Sequence, residues 1–227
     1  MSISKPARFI TSIAVLSLTV LASVADASNY NRKYQVTVTN ITPAIAFTPI
    51  LAATHNSSVA LFQLGSMASD ELGALAEGGA TDPLEGELSG AHGVAETTTT
   101  SGLLMGGETV EFEISTSRRM GKFSMAAMLL PTNDAFVALD GVRLPNRGRK
   151  TYYAHAYDAG SEINDQLCAN IPGPQCGGAG DGSFTAVDGE GFVHMSNGIH
   201  EQGDIPGGSA RYDWRGAVAE ITIRRIR

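Results

Sequence analysis

Short runs that alternate apolar and polar residues recur along this chain, and a period of two is the pattern of a strand with one face buried. Tyr34-Gln35-Val36-Thr37-Val38-Thr39-Asn40 keeps it strictly. In residues 108–115, Val110, Phe112 and Ile114 fall on one face and Glu111 and Glu113 on the other. Residues 151–157 alternate again. Residues 217–224 put Val218, Glu220, Thr222 and Arg224 on one side and Ala219, Ile221 and Ile223 on the other. Residues 123–130 are almost continuously apolar, the mark of a central strand covered on both faces. Residues 46–53 are extended but interrupted by Pro49, which suits an edge or a bulge, and 59–63 extend them. Residues 136–139 and 192–195 read as short strands, and 97–101 as a polar connection.

The period changes only once. Met67, Leu72 and Leu75 with Ala68, Ala74 and Ala76 predict a short helix within 66–77, stopped by Gly78-Gly79, and 82–89 add a turn or two. Residues 158–191 are rich in Gly, Asp and Pro with little periodicity, and long loops of this kind are usually functional or mobile. Seven to nine short strands, one minor helical insertion and no internal linker predict an all-β fold: one antiparallel β-sandwich with long loops at one end, with a barrel as the alternative.

The first residues have a different character. Lys5 and Arg8 precede an uncharged run over 9–24, and Ala25-Asp26-Ala27 places small residues where a signal peptidase reads. Residues 1–27 are therefore expected to be a cleaved signal peptide, and 28–227 a single exported domain, secreted or periplasmic. Removing 1–27 moves the formal charge from −7 to −8, a balance that disfavours nucleic acid and other polyanions. In an exported chain the two cysteines, Cys168 and Cys176, are expected to pair across a small loop; half a metal site is the rival reading.

Acidic residues at strand ends are the chemical signal. Asp134 and Asp140 flank one short strand, and Asp158 and Glu162 flank Ala159-Gly160-Ser161. Loops at one pole of a sandwich can converge such carboxylates, and calcium takes six to eight oxygen ligands. Spacing alone does not separate this from solvated loop acids, and no EF-hand pattern is present. Asp181, Asp188 and Glu190 among glycines could form a second, weaker cluster. His194 and His200 read as loop histidines, and Trp214, the single tryptophan, as a core anchor. Asn40-Ile41-Thr42 and Asn56-Ser57-Ser58 match the N-glycosylation pattern, which chance also produces. No G-x-S-x-G elbow and no H-E-x-x-H occurs.

Three separated blocks carry a resemblance. Pro131-Thr132-Asn133-Asp134-Ala135-Phe136-Val137-Ala138-Leu139-Asp140 is similar to P-S-P-D-W-F-V-G-V-D of spondin N-terminal domains. Tyr157-Asp158-Ala159-Gly160-Ser161-Glu162 is similar to their Y-D-A-G-T-D, and Asp213-Trp214-Arg215-Gly216-Ala217-Val218-Ala219 to the D-W-R-N-P-V-A of bacterial members, which Asn197-Gly198-Ile199-His200 also fits. The resemblance implies a C2-like β-sandwich that binds Ca2+ at one loop end through Asp134, Asp158 and Glu162, with Asp140 and Glu108 as further candidates. Ala135 replaces the family tryptophan and Glu162 the last aspartate. The implied role is a non-catalytic adhesion or recognition module for an extracellular or envelope protein or glycan. Alternatives are a calcium-bridged lipid or glycan binder, or a hydrolase using His155, His194 or His200.

Overall fold

The computed structural model describes residues 32–178, 189–199 and 203–227. The signal-peptide reading of 1–27 lies outside them, as do Asp181, Asp188 and His200. Among the described residues ten strands form one antiparallel sheet system: β1 (Arg32–Asn40), β2 (Ala46–Phe47), β3 (Leu51–His55), β4 (Val94–Thr99), β5 (Thr109–Thr116), β6 (Lys122–Leu130), β7 (Ala135–Arg143), β8 (Arg149–Asp158), β9 (His194–Met195) and β10 (Ala217–Arg225). The main path runs β4-β3-β6-β7-β8-β10-β1-β5. It curls until its two edges meet: the Ser115 backbone N–H donates to Glu96 at 3.0 Å, and Thr54 Oγ1 donates to the Ser115 carbonyl at 2.6 Å. The result is an all-β sandwich nearly closed into a barrel.

The interior between the two halves holds Tyr34, Val36 and Val38 of β1, Phe123, Met125, Ala127 and Leu129 of β6, Val137 of β7, and Ile221 and Ile223 of β10. On the β10-β1-β5 half the alternate residues meet water and one another, as in Thr37 Oγ1 and Gln35 Nε2 donating to Glu111. The outer face of β3, β6 and β7 is covered instead by α1 (Asp70–Gly78) and α2 (Asp82–Gly90), which bury Leu72, Leu75, Leu84 and Leu88 against Leu51, Ala126 and Phe136. β6 is thus apolar from Met125 to Leu130 because both of its faces are inside. Ser69 Oγ caps α1 by accepting from the Leu72 N–H at 3.2 Å, and Gly79 ends it in the left-handed region.

Several expectations need correction. Residues 97–101 are not a connection: 97–99 complete β4, hydrogen-bonded to β3. Their threonines gave no apolar alternation because Thr97 and Thr99 face Glu85 of α2, whose carboxylate accepts both hydroxyls. Residues 59–63 are not strand; they run over the outer face, where Leu61 is buried and Phe62 packs against Phe136. β7 continues to Arg143, well past Leu139. Val218 is buried, because an irregularity between Ala217 and Ala219 resets the register against β8. Asn40 is fully buried, with Nδ2 donating to the carbonyls of Ile45 and Leu104, and is no glycan acceptor.

Cys168 and Cys176 form the expected disulfide. Cys176 and the neighbouring Ile171 pack on the interior core, so the bridge fixes the start of the long loop onto the sandwich. Such a bond fits an oxidising, extracellular compartment. Among the described residues no helix is long and apolar enough to cross a membrane.

Candidate functional site

The start of β7 and the end of β8 are paired neighbours, with Ala135 opposite Asp158, and the Ala159 N–H donates to the Asp134 carbonyl at 3.2 Å. This register puts Asp134 and Asp158 at one pole. The turn after β8 then folds back over Asp134, whose Oδ2 accepts from the backbone N–H groups of Ser161 (2.7 Å) and Glu162 (3.0 Å) and from Ser161 Oγ (3.2 Å). Gly160 makes that turn at φ +66°; its N–H donates to Asp158 Oδ1 at 2.8 Å. A Cβ at Gly160 would stand 2.4 Å from the Phe192 carbonyl oxygen. Gly160→Ala is therefore expected to cost about 2 kcal/mol from the left-handed backbone and the displaced segment, read as a lower urea midpoint.

The electrostatics are those of carboxylates held largely out of water and close to one another. Asp134 is fully buried, and burial, with the Asp158 charge second, pushes its carboxyl up to about 7 in spite of the three donors on Oδ2. Its Oδ1 is buried and accepts no hydrogen bond. Glu162 is pushed up to about 8 by burial and by Glu77, Asp134 and Asp165, and its Oε2 is likewise buried without a donor. Asp158 is raised by burial, although Asn164, the Gly160 N–H and His194 favour its charged form. Two buried carboxylate oxygens without donors thus lie on side chains that repel each other, and hard oxygens of this kind are the ligand type that a divalent ion such as calcium takes.

A second grouping shares Asp158. β9 pairs with β8 so that His194 lies opposite Asp158, and Asp158, Glu190 and His194 present ligand atoms that all lie within 4.8 Å of one another, an arrangement that can hold a metal ion. They line a cavity of about 370 Å³ together with Asn164 and Gln166. The His194 imidazole is held above its usual pKa: burial works against the cation, but the Met195 carbonyl, Asp158 and Glu190 outweigh it.

The other singled-out residues have different tasks. Asp140 lies six residues along β7 from Asp134, and its Oδ1 accepts from Ser124 Oγ at 2.7 Å and the Leu61 N–H at 3.1 Å. Ser124 also contacts His55 Nε2 at 2.7 Å, but His55 and Ser124 are buried and the serine stands in the middle of the chain His55–Ser124–Asp140, so the acid orients no histidine as in a hydrolytic triad. Glu108 accepts from the Met105 N–H within its own turn. His155 is exposed on β8. Trp214 is 5 % exposed in the interior core. Beside it, Asp213 Oδ1 accepts from the Ile199 N–H and from Arg215, and Arg215 also reaches the Asn197 carbonyl. The D-W-R and N-G-I motifs are one packed unit.

Sequence reasoning did not connect Glu77, Glu190 or His194 to Asp158 and Glu162. Glu77 could have been found as a charge beside the apolar stripe of α1, where it is 1 % exposed. The Asp158–His194 pairing had no local signal.

Fold and site together define an extracellular-type all-β module with a carboxylate-lined loop pole. Residues 20–164 match the family described as Spondin_N, and the chain belongs to the spondin N-terminal domain family, which is generally non-enzymatic. The match includes the blocks that carry Asp134, Asp158 and Glu162, whereas the Asp213-Trp214-Arg215 block lies beyond it. A search of curated protein sequences finds no match to this chain.

Proposed function

We propose that this is an exported, non-catalytic recognition module in which Ca2+ bound by Asp134, Asp158 and Glu162 rigidifies one loop pole for an extracellular or envelope protein or glycan. The observation that supports it most is the buried, donorless pair Asp134 Oδ1 and Glu162 Oε2. A carboxylate left in this state is costly, and an oxygen-seeking dication removes the cost for several groups at once. The longer Glu162 still supplies a hard oxygen in place of the family aspartate. Bound there, the ion would tie the end of β8 and the turn over 159–162 to the start of β7, so loops that follow β8 would be held for contact.

The test is thermal melting in calcium and in chelator. A ligand that binds only the folded state stabilises it by RT ln(1 + [L]/Kd), about 2.7 kcal/mol at a hundredfold excess over Kd. A rise of several degrees in calcium, reversed by chelator, is expected; identical curves would remove calcium from the reading. Vesicle pelleting with and without calcium distinguishes the lipid-binding alternative: calcium-dependent sedimentation would favour a membrane over a protein or glycan.

A further inference from the structure

We infer that the cavity beside the calcium pole is a second, nitrogen-containing metal site, in which His194, Glu190 and Asp158 bind a borderline divalent ion of the zinc class with Gln166 as a neutral oxygen donor. Calcium takes oxygen ligands, whereas imidazole combined with carboxylates suits zinc and its neighbours. His194 Nε2 lies 3.4 Å from Asp158 Oδ1 and 3.7 Å from Glu190 Oε2, and it makes no hydrogen bond to either. Ligand bonds of about 2.0–2.1 Å around a tetrahedral ion set donor–donor edges of about 3.3–3.4 Å, so these separations need little adjustment to close on one ion.

The supporting contacts aim the donors. His194 Nδ1 is 3.1 Å from the Met195 carbonyl. Only a protonated Nδ1 can donate there, so in the neutral ring that a metal requires the Nε2 lone pair faces the two acids, as in the outer-shell arrangement of metal-bound histidines. A single amide fixes both carboxylates: Asn164 Nδ2 donates to Asp158 Oδ2 at 2.9 Å and to Glu190 Oε1 at 3.3 Å, on the oxygens opposite those near the imidazole. Independently, Gln166 lines the same cavity, is 3 % exposed, and has a buried Oε1 with no donor. A buried amide oxygen without a partner, on a residue that lines the same cavity as the imidazole and the two carboxylates, is a neutral oxygen donor available to a cation held there.

The experiment uses the exported chain and zinc chloride alone as the probe, with and without calcium. Isothermal titration is expected to show one zinc per chain, weakened at least about tenfold in His194→Ala and in Glu190→Gln and unchanged in His155→Ala. Imidazole 15N spectra should show the His194 Nε2 resonance shifting on zinc addition, a readout that loss of folding in a variant cannot supply. Zinc affinity unchanged in His194→Ala, or a His194 resonance that responds to pH and not to zinc, would overturn the inference and leave a simple ion pair. Because the titration needs no calcium, a zinc signal in protein that shows no calcium-dependent melting would leave this site standing while removing the calcium reading.

Discussion

Asp134→Asn is expected to make the metal-free protein more stable at pH 8 and to abolish the stabilisation by calcium. The Asp134 carboxyl is pushed to about 7 in the folded chain from 3.8. That difference sets a ceiling of roughly 4 kcal/mol on the folded-state penalty of its charge. Because the folded pKa lies above the unfolded one, the native state holds a proton that the unfolded chain has released. The stability from this group is fully present below about pH 4 and is lost as pH rises through about 7; Glu162 extends the loss toward about 8. Asparagine cannot ionise. Its Oδ1 can keep the donors from Ser161 and Glu162, while its Nδ2 takes the place of an oxygen that has no donor. A gain of about 2 kcal/mol is expected at pH 8 in chelator, raising Tm by roughly 4–8 °C for a chain of this size, and none at acidic pH where wild-type Asp134 is already neutral. In calcium the order is expected to reverse, since the proposed site would hold the ion in wild type and not in the variant. The wild-type calcium response should itself grow from pH 5 to pH 8, because protons compete for the same oxygens below about 7. A variant less stable than wild type in chelator at pH 8, with its calcium response retained, would show that Asp134 is a structural hydrogen-bond acceptor alone.

Much of this pole was legible in the sequence because its turn is local. Tyr157-Asp158-Ala159-Gly160-Ser161-Glu162 needs a left-handed residue between two acids, and the one glycine supplies it. The strands with one wet face were legible for the same reason: in β1 and β5 the alternation is the burial. What stayed hidden depends on non-local register. β4 carries threonines toward α2 rather than an apolar face toward the core, so its sequence lacks the contrast that a period-two reading requires. His194 meets Asp158 only because the two-residue β9 pairs with the end of β8, 36 residues away, and no spacing rule encodes that pairing. Asp140 looked like a site acid from its strand-end position, yet the continuation of β7 carries it into a half-buried contact with Ser124 instead.

The second large effect is expected at Phe136, which joins the helical cover to the acidic pole. Phe136 lies opposite Tyr157 across β7 and β8, and both rings contact Phe62, with centroids 5.3 Å apart for Phe62–Phe136, 4.8 Å for Phe62–Tyr157 and 5.6 Å for Phe136–Tyr157. Phe136 itself is fully buried beneath α1. Truncation to alanine removes a buried ring whose neighbours belong to three separate segments, so the space cannot close without moving a strand; a loss of about 3–5 kcal/mol is expected, with the urea midpoint as the readout. Phe136 follows Asp134 by two residues, and Tyr157 immediately precedes Asp158. The same substitution is therefore expected to weaken calcium binding even at urea concentrations where the variant remains folded, whereas Phe136→Leu should recover most of both losses. Calcium affinity unchanged in folded Phe136→Ala would mean that the turn over 159–162, through its bonds to Asp134, fixes the carboxylates by itself, and that the aromatic trio serves stability alone.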